Sequence, residues 1–268
     1  MRDLNTLQKE LAEAKSELIK YKTESDSKKL STNGSFGKLG SKYSILYAPE
    51  LLLQTTITGQ LCLLMLIEVM EAAGIVVMSA NTDGIVCNAP ISMLDKMHEV
   101  AFDWELDTGY VLEQTDYSAV ASRDVNNYLA VKTDGKIKGK GVFASTGLSK
   151  NPDCPIVKKA VAYKIARNIP IYRTVMDCED ITEFVTVRKV TGGAVWEGEY
   201  LGKAVRYYYS SEVNPDTCIH YAKNSNRVPN SGGAKPLMDL PQTFPKDVNY
   251  VVYIEAANTL LKEVGYNA

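Results

Sequence analysis

Lys29, Asn33 and Phe36 stand at i, i+4 and i+7 in the stretch Lys29-Leu-Ser-Thr-Asn33-Gly-Ser-Phe36-Gly37, so a helix carries all three on one face. A cation, an amide and an aromatic plane arranged in this way can grip a phosphate, bond a polar group and stack beneath a base or sugar. Lys22, seven residues before Lys29, falls on the same face as a weaker phosphate candidate. Taken alone, a solvated lysine, a helix-terminal asparagine and a core phenylalanine explain the same residues. The second constellation is Asn81-Thr82-Asp83-Gly84 between two short apolar runs. A carboxylate at the tip of a two-stranded ribbon projects from rigid backbone and can hold a divalent cation, although Asp-Gly is also ordinary turn chemistry.

These residues need elements to position them. Residues 1 to 28 place Leu4, Leu7, Leu11, Ala14, Leu18 and Tyr21 at alternating spacings of three and four, one narrow helical stripe that fits a coiled-coil arm equally well. The helical pattern extends to Phe36, and Gly37, Gly40 and Ser41 break it. Residues 50 to 73 read as a core helix closed by Gly74. Their longest apolar run, residues 61 to 67, is too short for the ~20 residues of a membrane span, so a buried helix is expected. The runs 75 to 80 and 85 to 87 flank the Asp-Gly pair as a hairpin. Residues 128 to 132 and 137 to 143 alternate as strands around Asp134-Gly135. A Pro-containing joint near 151 to 155 leads into a helix over 156 to 168, and a mixed tail ends in a helix from about 248 to 264.

Composition sets the class. A length of 268 residues suits one large domain or two small ones, and 45% hydrophobic with 23% charged residues excludes wholesale disorder, collagen and a rod. The net charge of -2 hides its distribution. Residues 91 to 120 carry seven acids against Lys96, whereas residues 121 to 167 carry ten bases against three acids, a block of net +7. Five scattered cysteines without a CxxC pair read as reduced thiols, and a charged opening without a secretory segment agrees with a cytoplasmic protein. His98 and His220 are too far apart for a local zinc motif.

In this order, the two constellations resemble something specific. The first is similar to the Lys-x3-Asn-Ser-x-Tyr-Gly motif of family B DNA polymerases, and Asn81-Thr82-Asp83-Gly84 to their Asp-Thr-Asp-Ser palm hairpin. The continuation Lys38-Leu-Gly-Ser-Lys-Tyr-Ser and the long helix before the hairpin resemble bacteriophage members. Asn126-Asn127-Tyr128 stands where the family often has Lys-x-Tyr near the primer end, and a basic strand with Lys136, Lys138 and Lys140 follows. Val187-Arg188-Lys189 with Gly192-Gly193, and residues 236 to 241, resemble a phage-type thumb, so the likeness covers about residues 20 to 265.

The resemblance implies an α+β fold: an N-terminal fingers helix, an antiparallel palm sheet whose catalytic hairpin is covered by helices, and a mixed C-terminal thumb. It divides the chain into a fingers remnant at 1–44, palm at 45–148 and thumb at 149–268. It implies that Asp83 binds two catalytic Mg2+ ions and that Lys29, with Lys22 as a weaker candidate, neutralises triphosphate. Asn33 would sit beside Lys29. Phe36 would stack on the incoming deoxynucleotide, and Gly37 would admit the template base. Tyr128, Lys136, Lys138 and Lys140 would contact primer-template DNA. Asn81 replaces the first aspartate of the palm hairpin, Gly34 a serine, Phe36 a tyrosine and Asn126 a lysine. The family's other palm aspartate, in an Asp-x2-Ser-Leu-Tyr-Pro type motif, does not occur in these 268 residues. With one carboxylate instead of two, the metal ions are underligated. The chain is therefore expected to be the C-terminal part of a split, truncated or partially sequenced polymerase, inactive alone because the other palm aspartate motif and the exonuclease domain are missing, partnered by an N-terminal half on another chain and by no membrane. A non-catalytic DNA-binding remnant and a coiled-coil interaction protein are the alternatives.

Overall fold

The structure, a computed structural model, describes residues 4–144 and 151–266, with side chains from residue 8 onward. It is α+β, and every strand pairing among the described residues is antiparallel. Two compact units divide the chain, Met1–Leu112 and Glu113–Ala268. The boundary expected between residues 148 and 149 lies outside the described residues.

The first unit opens with helix α1 (Leu4–Leu39). Straight-chain residues and the i,i+4 pairs Lys9–Glu13 and Lys28–Glu24 favour it locally. It runs through Gly34 and past Gly37, the first of the three residues expected to break it, and stops before Gly40. A Cβ at Gly40 would meet the end of the Leu52 side chain, Cδ2, at 3.0 Å, so that side chain would have to give way slightly. Helix α2 (Pro49–Ala72) begins with proline at its first position, where a missing N–H costs nothing. It ends in a Schellman motif: Gly74, at φ +82, donates to the Glu71 carbonyl and Ile75 to that of Met70. Strands β1 (Val76–Asn81) and β2 (Gly84–Asn88) form the expected hairpin, and helix α3 (Leu94–Thr108) packs against α2. Leu66, Met70, Ile75 and Trp104 are the buried core of this unit, and the Trp104 indole donates to the Cys62 carbonyl at 3.0 Å.

The expectation that α2 is a buried core helix is corrected. Only Leu66 and Met70 of α2 are buried, while Leu53, Ile57, Leu61 and Leu64, which share the opposite side by helical spacing, are exposed. The helix is apolar nearly all round, but α3 and the hairpin cover one side. By length and composition alone, α2 is the one described helix long and apolar enough to cross a membrane.

The second unit begins with the three-stranded sheet β3 (Tyr117–Asp124), β4 (Asn127–Lys132) and β5 (Ile137–Gly139). Strand β5 is shorter than the expected 137–143. Gly141 turns the chain at φ +60, a Cβ there would collide with Asn127 Oδ1, and the Val142 N–H donates to that same oxygen at 2.8 Å. Helices α4 (Pro155–Arg167), α5 (Ile171–Met176) and α6 (Tyr250–Glu263) follow, with a four-stranded sheet in the order β8 (His220–Tyr221), β6 (Thr186–Trp196), β7 (Glu199–Tyr209), β9 (Ala234–Pro236). The main core joins Leu129, Val131 and Phe143 to Ile156, Val161, Phe184, Tyr253 and Leu261. A second cluster, including Val190, Val205, Tyr207 and Ile219, fills the four-stranded sheet.

A buried polar knot closes this unit. The Asp247 carboxylate accepts from Tyr208 Oη at 2.9 Å, Ser210 Oγ at 2.6 Å and Lys235 Nζ at 2.7 Å. Burial alone would raise its pKa, but these donors hold it down at about 2.

Candidate functional site

Because α1 is continuous, Lys22, Lys29, Asn33 and Phe36 lie within roughly 60° of arc on one face. All four are exposed, and Phe36 keeps 39% of its surface. The two neighbouring lysines differ. Lys28 Nζ is held by Glu24 at 2.7 Å, whereas no carboxylate among the described residues lies within 4.0 Å of Lys29 or Lys22. The cation on the predicted face is thus available for an external anion.

The glycines of this stretch carry independent information. A Cβ at Gly34 or Gly37 would meet nothing within 4 Å, so nothing in the described chain requires the missing side chains. Each lies inside a helix, where glycine costs about 1 kcal/mol relative to alanine. That cost has no return in the packing of α1.

Asp83 lies on a different element of the same unit, exposed at the tip of the β1–β2 hairpin. Asn81 pairs with Gly84 across the tip, leaving Thr82 and Asp83 as the turn. The positive φ falls on Thr82, at 52°, and not on Gly84. A β-branched residue in the left-handed region is strained, and such strain concentrates at functional turns. The Thr82 hydroxyl donates to Asn81 Oδ1 at 2.8 Å, and the Asp83 N–H to the Asn81 carbonyl at 2.6 Å, which fixes the tip. No group of three His, Cys, Asp or Glu side chains suited to a metal occurs among the described residues. The single carboxylate of Asp83 therefore does not fit a two-ion site without further ligands.

In the second unit, cross-strand register gathers the other site residues. Ala130 faces Lys138, and the Lys140 N–H donates to the Tyr128 carbonyl at 2.8 Å. Tyr128, Lys138 and Lys140 thereby share one face of the sheet, while Leu129, Val131 and Ile137 turn to the core. Lys138 and Lys140 are exposed and have no carboxylate within 4.0 Å among the described residues, whereas Lys136 is held by Asp134 at 2.8 Å. This face is a short basic strip with one aromatic ring. Lys132, pointing the same way by the period of two, extends it and follows from the same strand pattern.

The stretch from Lys38 to Ser44 entered the sequence reading only through the resemblance. Lys38 in the last turn of α1 and Lys42 beyond it stand near the exposed Tyr43, and a signal in the residues themselves was available: no acid occurs between Asp26 and Glu50. The five cysteines are free thiols, and burial pushes the Cys154 thiol up to about 12, which leaves it unreactive.

Comparison of the chain with protein-family models and with curated proteins finds no match.

Proposed function

We propose that the chain is the C-terminal part of a family B DNA polymerase of bacteriophage type. It would add deoxynucleotides to a primer 3′ end once another polypeptide supplies the remaining palm aspartate. The observation that carries this reading is the exposed face of α1, where Lys22, the unpaired Lys29, Asn33 and Phe36 line up beside two glycines that the chain's own packing does not require. A phosphate, a polar group and a base or sugar are what such a face can hold, and a template base approaching closely gives Gly37 a purpose.

In the reaction, the primer 3′ oxygen bonds to the α-phosphorus of the incoming nucleotide as the bond to the bridging oxygen breaks and pyrophosphate leaves. Lys29 offsets charge on the triphosphate, Asn33 bonds beside it, and Phe36 stacks against the nucleotide. The basic face with Tyr128, Lys138 and Lys140 tracks the phosphate backbone, giving affinity that is independent of sequence and falls with salt. Asp83 lends one carboxylate to a Mg2+ site that only the partner polypeptide completes.

The test is primer extension after mixing with an N-terminal chain that carries the Asp-x2-Ser-Leu-Tyr-Pro motif. Extension that is lost in Asp83→Asn supports the reading, and absence of Asp83-dependent extension with such chains refutes it. Salt-sensitive binding of primer-template without extension would establish the second reading, a non-catalytic DNA-binding remnant, which the lone carboxylate favours for the chain by itself.

A further inference from the structure

Every side chain of α1 from Gln8 to Lys38 is exposed, although apolar residues recur along the helix. Leu11 and Leu18 keep 54% and 68% of their surface, and Ala14 and Tyr21 lie open on the same stripe. A helix draws most of its stability from packing such a stripe, and among the described residues nothing covers this one.

The spacing says which partner fits. Leu4, Leu7, Leu11, Ala14, Leu18 and Tyr21 alternate steps of three and four in the sequence, a mean period of about 3.5 residues. A helix lying on a globular core repeats at about 3.6, whereas a strict period of about 3.5 is the seam of helices wound about each other. With Leu11 and Leu18 at position a of the seven-residue repeat, and Ala14 and Tyr21 at d, the flanks carry a second signal. Glu10, Glu17 and Glu24 all fall at g, and Lys15 and Lys22 at e. In a parallel, in-register pair each g residue faces the e residue five positions later on the other helix. Glu10 then meets Lys15 and Glu17 meets Lys22, each twice by symmetry. An antiparallel pair would set glutamate against glutamate and lysine against lysine. The seam also has an end, because the next a and d positions are Ser25 and Lys28, and Lys28 Nζ is held by Glu24 at 2.7 Å. Ala14, in a middle layer, leaves a gap that widens with each added helix, which favours two strands over three. A membrane surface takes a broad apolar face beneath a basic one, but this stripe is narrow and one whole flank is acidic.

We infer that the α1 stripe through Leu11, Ala14, Leu18 and Tyr21 pairs with the same stripe of a second copy of this chain, as a parallel, in-register, two-stranded coiled coil. Lys29, Asn33 and Phe36 lie beyond its last layer and stay open, while Lys22 turns to Glu17 of the second copy. The inference stands on helical spacing and charge pattern, independently of the polymerase reading.

Sedimentation equilibrium of the full chain over a concentration series tests it, and the wild type should behave as a reversible monomer–dimer. Leu18→Asp should weaken dimerisation by roughly a hundredfold or more, because each dimer then carries two charges in its seam. Ile19→Asp alters a similarly exposed neighbour, at 66%, that lies off the seam, and should leave dimerisation unchanged. Both substitutions leave the buried core of Leu66, Met70, Ile75 and Trp104 untouched. Glu17→Lys should weaken the dimer on the order of tenfold by turning two attractions into repulsions, and adding Lys22→Glu should restore it. A monomer at every concentration overturns the inference, as does a species larger than a dimer. Equal effects of Leu18→Asp and Ile19→Asp would mark unspecific apolar association and overturn it too. Tighter dimerisation by the Glu17→Lys chain would establish an antiparallel pair instead. A wild-type chain that stays monomeric but takes up, through Leu18, the N-terminal chain of the primer-extension experiment assigns the stripe to that polypeptide and also overturns the pairing. Dimerisation as expected, with no Asp83-dependent extension, removes the polymerase reading alone.

Discussion

Gly34→Ala and Gly37→Ala separate two demands on the same helix. Both positions lie inside α1, and a Cβ at either meets nothing within 4 Å, so alanine adds helix propensity without a clash. The gain per site is about 0.8 to 1 kcal/mol, which corresponds to an open population of the helix about fivefold lower at each. Because α1 is almost wholly exposed, this gain acts on local opening and not on the core. Amide hydrogen exchange of residues 30 to 39 is the assay, and protection should rise about fivefold in each variant. If Gly37 instead serves close approach of a template base, the more stable Gly37→Ala variant should bind primer-template and nucleotide more weakly, with the wild type better at function and worse at helix stability. Falling protection would mean that the glycine is required by the chain's own packing. Higher protection with unchanged binding would mean that Gly37 has no ligand to admit, and either result refutes the reasoning.

Further outcomes follow from the second unit. The Asp247 carboxylate, held at about 2 against an ordinary value near 3.9, contributes about 2 kcal/mol that is present above pH ~4 and lost as pH falls toward 2. In chemical denaturation, the stability gap between wild type and Asp247→Asn should therefore shrink over that window, and a constant gap would contradict the assignment. Lys138→Ala and Lys140→Ala should each lower the magnitude of the salt slope for duplex DNA by about 0.9, measured by anisotropy against salt. Slopes that do not move would remove the basic face of the three-stranded sheet from the interface.

The parts of this fold that were legible are those where one local signal decides. Proline at the start of α2, Gly74 at its end and an Asp-Gly pair between apolar runs place α2 and the hairpin within a residue or two. Periodicity put Lys29, Asn33 and Phe36 on one face, and the uninterrupted helix keeps them there. Burial of α2 was not legible, because a helix apolar on all sides does not say which sides find a partner. The long β6–β7 hairpin was hidden for another reason. Gly192 and Gly193, which read as a break, sit at positive φ within β6, where the register shifts between Lys189 and Ala194. The two-residue turn Glu197-Gly198, with both φ values positive, was the available hairpin signal. Around Asp83 the tip geometry was expected, but the shift of strain onto Thr82 depends on backbone dihedrals that composition does not reveal.

The most direct test compares two adjacent lysines. Isothermal titration of a deoxynucleoside triphosphate with Mg2+ into the primer-template complex should show binding that Lys29→Ala weakens about tenfold and Lys28→Ala leaves nearly unchanged, because Lys28 is held by Glu24 whereas Lys29 is the cation that the proposed function sets against the nucleotide. Equal effects of the two substitutions, or no nucleotide binding by the wild-type complex, would contradict the account.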